Sequence, residues 1–199
     1  MPALTPGCAL ATVTSLVPTE EVQGPLQGRQ LLLLRHATAR YDDPALDDHD
    51  APLSEVGRGA VARLGGFLSE RGYRPTHVFC SSARRTRETF EQLAPFLLES
   101  PALRVLPELY LASPSKLLAH IEAAPAEATA LLVVAHNPGV GTLAHYFAED
   151  AEPAVRQRIL DSFPPAAFAS FESPAADWGG FEDSRALIDF VCPSDLLAR

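Results

Sequence analysis

At 199 residues, with 47% hydrophobic and 21% charged side chains, the chain has the make-up of an ordinary globular protein with room for a sizeable core, which excludes disordered and fibrous classes. Sixteen basic against 25 acidic residues give a formal net charge of -9, so the overall field repels polyanions. Nucleic acid is therefore not an expected partner, and an anionic ligand has to be captured by a local group of arginines.

Cys8, Cys80 and Cys192 are odd in number and lack CxxC spacing, which points neither to a disulfide framework nor to a zinc site. That cysteine pattern makes a reducing cytoplasm the simplest setting, and no apolar run approaches the ~20 residues of a membrane helix, so no membrane partner is expected. The first 19 residues carry no charge, but Pro2, Pro6 and Pro18 interrupt them and no basic region precedes them, unlike a secretion signal. Residues 1 to 28 read as an N-terminal extension, and 29 to 199 as a single domain.

Leu31 to Leu34 is a short apolar run before a polar cluster, the pattern of a strand buried on both faces. From Ser54, the residues Val56, Ala60, Leu64, Phe67 and Leu68 recur at helical spacing until Gly72. His77 to Cys80 reads as a second strand, followed by a charged helix from Arg84 with Phe90, Leu93, Ala94 and Leu97 on its apolar face. Leu103 to Leu106 follows as a third strand, and Ser113-Pro114 caps a helix through Ile121. Leu131 to Ala135 is a clear strand, after which Asn137-Pro138 caps a helix bearing Val140, Leu143, Ala144 and Phe147. Beyond Asp150 come a short arginine-rich helix and two strands, Ala166 to Phe171 and Ala186 to Val191. Alternating strands and helices predict an α/β fold, a three-layer αβα sandwich with a mostly parallel central sheet, in which ligands sit beyond the carboxyl ends of the strands.

Three polar clusters directly follow predicted strands: Arg35-His36, Ser81-Ser82-Ala83-Arg84-Arg85, and His136-Asn137-Pro138-Gly139. On a common rim they make an anion site, because guanidinium forks match phosphoryl oxygens and helix N-H groups favour negative charge. An imidazole beside fixed cations stays neutral near pH 7 and keeps a lone pair for in-line attack on phosphorus. A phosphohistidine intermediate at His36, with charge on the phosphoryl oxygens met by Arg35, Arg85 and His136, follows without a metal or other cofactor.

Arg35-His36 closing a first strand, Leu53 to Ala60 opening a helix, Ser81 through Thr89, and His136 closing a later strand resemble the histidine phosphatase superfamily, with its phosphoglycerate mutase-like fold. The short spacing and the His-Asn-Pro-Gly form are most similar to its SixA-type branch of phosphohistidine phosphatases. The resemblance implies His36 as nucleophile, Arg35, Arg85 and His136 as catalytic and phosphate-binding groups, and Asn137 beside them in the substrate site. Counting from Ser81, Arg85 rather than Arg84 matches the family's second arginine. Ala37 stands where larger relatives have glycine, and Ala51 where relatives often have arginine.

Glu108 is the expected general acid by its position after the third strand, ahead of Asp42, Asp43 and Asp47. The imidazole of a phosphohistidine leaves more readily than an alkoxide, so a weak acid favours phosphohistidine. The expected substrate is a phosphorylated protein of the histidine-phosphotransfer type. The alternatives are a small phosphorylated metabolite and, in another class, a non-catalytic module that binds phosphoproteins. The Asp47-Asp48-His49-Asp50 run matches no calcium or zinc loop and reads as a solvated acidic loop or, alternatively, as one wall of the substrate entrance; Trp178 reads as a packing anchor.

Overall fold

The computed structural model describes residues 28–197. Gly28 apart, the expected N-terminal extension lies outside the described residues, as does Cys8. The elements run β1 (Arg29–Arg35), α1 (Glu55–Glu70), β2 (His77–Ser81), α2 (Arg84–Leu93), β3 (Ala102–Leu106), α3 (Pro114–Glu122), β4 (Ala130–Ala135), α4 (Gly139–Phe147), α5 (Pro153–Asp161), β5 (Phe168–Ser173) and β6 (Ala186–Val191). They build one six-stranded sheet in the order β3-β2-β4-β1-β5-β6. The first four of these strands are mutually parallel, β5 runs antiparallel to β1, and β6 reverses again beside β5.

Successive side chains of a strand point to opposite faces, and β1 divides its leucines accordingly. Leu31 and Leu33 enter a core with Leu117 and Ile121 of α3, Val140 and Phe147 of α4 and Ile159 of α5. Leu32 and Leu34 enter a second core with Val61 and Leu64 of α1 and Phe90 and Leu93 of α2. All four leucines are fully buried, each contributing about 2 kcal/mol. Helices thus cover both faces, giving the three expected layers.

The helix starts follow their caps. The Ser54 hydroxyl accepts from Gly57 N at 3.1 Å to open α1, and the Ser113 hydroxyl accepts from Lys116 N at 3.3 Å to open α3. At α4 the structure differs from the sequence reading. Pro138 holds the N-cap position, and the Asn137 side chain instead donates to Phe163 O at 2.9 Å. The first turn of α4 is closed by the backbone, Val140 N donating to His136 O at 3.0 Å, so no side-chain cap is needed.

A second difference lies at the start of β5. Ala166 is not in the strand but has φ 63, and its N-H donates to the carbonyls of Arg35 and His36 at 3.2 and 3.1 Å. The turn serves the end of β1 before β5 begins. Trp178 is buried as expected, donating from Nε1 to Ala128 O at 2.8 Å and stacking on Phe181.

Gly139 lets α4 approach the segment before α3 closely, because a Cβ there would lie 2.0 Å from the Ala112 carbonyl oxygen. Gly139→Ala is therefore expected to lose about 2 kcal/mol or more through backbone displacement, read as a lower urea midpoint. An unchanged midpoint would show that α4 is not seated as described.

Candidate active site

β1 and β4 pair in parallel with Arg35 opposite Ala135, and His36 N extends the ladder by donating to Ala135 O at 3.0 Å. His36 and His136 therefore emerge side by side at the carboxyl rim, with ring centroids 5.0 Å apart and planes at 57°. β2, on the other side of β4, ends at the same rim and delivers Arg85 in the first turn of α2. Arg85 is 2% exposed, with Nη2 3.4 Å from His136 Nδ1, whereas Arg84 is exposed and paired with Glu88 at 2.6 Å. Arg35, the last residue of β1, donates from Nη1 to Phe163 O at 2.8 Å, the same carbonyl that receives Asn137. The Asn137 Oδ1 is buried and has no hydrogen-bond partner among the described residues.

Hydrogen bonds determine both imidazole tautomers. Nδ1 of His36 lies 2.8 Å from the Ala37 carbonyl oxygen, which only accepts, so Nδ1 carries the proton and Nε2 keeps a lone pair. Arg85 only donates, so His136 Nδ1 is the acceptor and its Nε2-H donates to the Ser81 hydroxyl at 2.8 Å. The Ala37 N-H donates to Thr89 Oγ1 at 3.0 Å, and the Thr89 hydroxyl donates to Arg85 O at 2.6 Å. One buried stripe of α2, Arg85, Thr86 and Thr89, thus supplies a cation and braces the loop carrying His36.

Burial is the main cause that lowers the His36 pKa to about 4; Arg85 and Arg35 lower it further, while the Ala37 carbonyl and Asp48 oppose. Burial, then His36 and Arg85, lower the His136 pKa to about 3, with Asp48 again opposing. Both rings are neutral near pH 7. A bare Nε2 beside two guanidiniums in a recessed site is suited to hold a tetrahedral oxyanion and attack its centre.

Asp48 enters this site, in line with the alternative reading of its acidic loop as a wall of the substrate entrance rather than a solvated loop. Its carboxylate accepts from Arg85 Nη2 at 2.9 Å and from the Tyr110 hydroxyl at 2.6 Å, and its main-chain carbonyl accepts from Arg85 Nη1. Tyr110 and then Arg85 hold the Asp48 carboxyl below its ordinary range against partial burial. Tyr110 stands edge-on to His136 at 5.4 Å, and His49 bonds Ser82 Oγ at 2.9 Å. Glu108 lies exposed on the short 3-10 turn Pro107–Leu109, and among the described residues it makes no hydrogen bond or ion pair. Asp42 pairs with Arg40 at 3.0 Å, Asp43 accepts from Ala45 N, and Asp47 caps the turn Asp48–Asp50. Among the described residues, no three His, Cys, Asp or Glu side chains converge as a metal site would require.

The depressed histidine pKa values have a stability consequence. Below the unfolded value of ~6.5 the unfolded chain takes up protons that His36 and His136 refuse until about 4 and about 3. Stability from these two groups is complete above ~6.5 and is lost as pH falls through that window. Their ring protons are expected to show no NMR titration midpoint above pH ~5. A midpoint near 6.5 for either ring would contradict its desolvated setting.

The sequence model of the Histidine phosphatase superfamily (branch 1) matches residues 31–109. An uncharacterised protein of Mycobacterium tuberculosis is 34% identical over 163 residues, covering 80% of this chain and 99% of that protein. A solved structure from Nakamurella multipartitia, assigned as phosphohistidine phosphatase SixA, superposes with a TM-score of 0.70 at 30% identity over 83% of this chain and 96% of its own. A second such structure, from Agrobacterium tumefaciens, gives a TM-score of 0.70 at 27% identity over 83% of this chain and 99% of its own. With these similarities and the phosphoglycerate mutase-like sheet, the chain belongs to the histidine phosphatase superfamily, in its SixA-type branch, and is a hydrolase of the histidine phosphatase class.

Proposed function

We propose that residues 29–199 form a catalytic domain that removes phosphoryl groups from protein phosphohistidine, with His36 as the nucleophile. The observation that carries this reading is the bare Nε2 of a neutral His36, held by its Nδ1-H bond to Ala37 and set beside Arg85 and His136. The lone pair of His36 Nε2 attacks phosphorus and the P-N bond of the substrate breaks. The departing imidazole keeps that electron pair and is protonated from solvent. Water then attacks phosphorus of phospho-His36, its proton passes to solvent, and inorganic phosphate leaves with His36 restored.

Arg35, Arg85 and His136 are assigned to the equatorial oxygens, where charge collects in the transition state, and Asn137 to the edge of the substrate site. The Ser81 hydroxyl can reverse its bond to His136 Nε2, so that Nδ1 becomes a donor when a phosphoryl oxygen faces it. The choice of phosphohistidine rests on the acid. The carboxylate that enters the site, Asp48, is held ionised, and Glu108 stands exposed on the segment leading to Tyr110. An imidazole leaving group tolerates that arrangement better than an alkoxide. The name of the 30% identical Nakamurella protein points the same way.

His36→Ala is expected to lower turnover of a phosphorylated histidine-phosphotransfer domain by at least ~10³-fold in the presence of chelator, and acid quench of the wild-type enzyme should trap an acid-labile phosphoryl label on His36. Label release that survives His36→Ala, or that stops on adding chelator, would sink the reading. Glu108→Gln should change phosphohistidine hydrolysis by less than ~3-fold. Collapse of activity in this variant, together with rapid turnover of sugar or nucleotide monophosphates, would favour the small-molecule phosphomonoesterase in which Glu108 is the acid.

A further inference from the structure

We propose that Asp48 is a specificity-determining residue, an internal anion on Arg85 that an incoming phosphoryl group must displace. The inference rests on the reading of Arg85 as a phosphoryl ligand.

Arg85 is 2% exposed, and both of its Nη atoms are bonded within the protein. Nη1 donates to the Asp48 main-chain carbonyl, and Nη2 donates to the Asp48 carboxylate at 2.9 Å and faces His136 Nδ1 at 3.4 Å. Nε is buried and has no hydrogen-bond partner among the described residues. One short turn, Asp48–Asp50, therefore presents two oxygens to the guanidinium, as a phosphoryl group does. The two partners differ in their access to water. The Asp48 side chain is 51% exposed and the Arg85 side chain 3%. A released Asp48 can be hydrated at once, whereas a released Arg85 is left as a buried cation without a counter-charge. Exchange of Asp48 for another anion is thus favoured over simple opening.

The same geometry sets the condition on that anion. The Asp48 carboxylate lies close enough to both histidines to raise their proton affinity, so a phosphoryl group against His36 meets its negative charge unless the turn gives way. Tyr110, which donates to the same carboxylate oxygen at 2.6 Å, and His49, bonded to Ser82 at 2.9 Å, hold the turn in place. A dianionic terminal phosphoryl group has the charge to displace Asp48. A monoanion such as a phosphodiester or a carboxylate offers Arg85 no more than Asp48 already gives, and is excluded.

Calorimetric titration with inorganic phosphate and with dimethyl phosphate, which requires no turnover, tests this. Asp48→Ala and Asp48→Asn are expected to bind phosphate about 10-fold more tightly than the wild type, the size of one charge-assisted hydrogen bond, and to gain measurable affinity for dimethyl phosphate. Tyr110→Phe should shift both affinities in the same direction by a smaller factor. Unchanged or weaker phosphate binding in both Asp48 variants would overturn the proposal and leave Asp48 as a prop for Arg85. Phosphate affinity that survives Arg85→Ala would overturn it too, by removing Arg85 as the ligand. Failure to hydrolyse phosphohistidine, with phosphate binding tightened in Asp48→Ala, would sink the proposed substrate and leave this inference standing.

Discussion

The register between β1 and β4 is the constraint on which the rest depends. Arg35 lies opposite Ala135, and one further backbone bond places His36 beside His136 at the rim. A slip of one residue would turn Leu31 to Leu34 onto the wrong faces, exchanging the residues of the two cores, and would send His36 into the opposite layer. Four fully buried leucines thus do two things at once: they hold the layers together and they fix which way the histidine pair faces. The proposed chemistry therefore rests on apolar packing that contains none of the reacting groups.

Placing polar side chains at the mouth of such a core raises an electrostatic problem, and the site resolves it by keeping both imidazoles neutral. Burial of the rings favours that state, and the neighbouring guanidiniums favour it further. Neutrality leaves Arg85 needing a counter-charge, which Asp48 supplies from the solvent side, while Arg35 is met by the Phe163 carbonyl. Thr89 serves the loop of His36 and the backbone of Arg85 together, so the relative placement of proposed nucleophile and cation is set by one hydroxyl.

Much of this was legible in the sequence, and what was not has a physical reason. The leucine run, the cap at Ser113-Pro114, and the recurrence of polar clusters after strands are local signals, and they mark the layers and the rim. The choice of Arg85 over Arg84 came from motif spacing, and it coincides with the buried side of α2. Asp48 was not separable from Asp42, Asp43, Asp47 and Asp50, because what distinguishes it is a bond to Tyr110 across 62 residues, and a loop-to-loop contact leaves no periodic trace. Asn137 looked like a cap because asparagine before proline usually is one. Its amide is instead drawn to Phe163, a residue that only the reversal of β5 brings near.

That reversal has a consequence for where the chain tolerates change. Because β5 runs against β1, its first residue pairs with Leu34 near the histidines and its last with Arg29 at the far end. The segment from Ser162 to Ala167 therefore belongs to the floor of the site, although it precedes a strand rather than follows one. The connection between β5 and β6 hangs at the opposite end, pinned there by Trp178 on Ala128. An insertion or fusion point in that distal connection, away from Trp178, leaves these contacts untouched, whereas one residue added or removed between α5 and β5 moves the Phe163 carbonyl and, with it, Arg35 and Asn137.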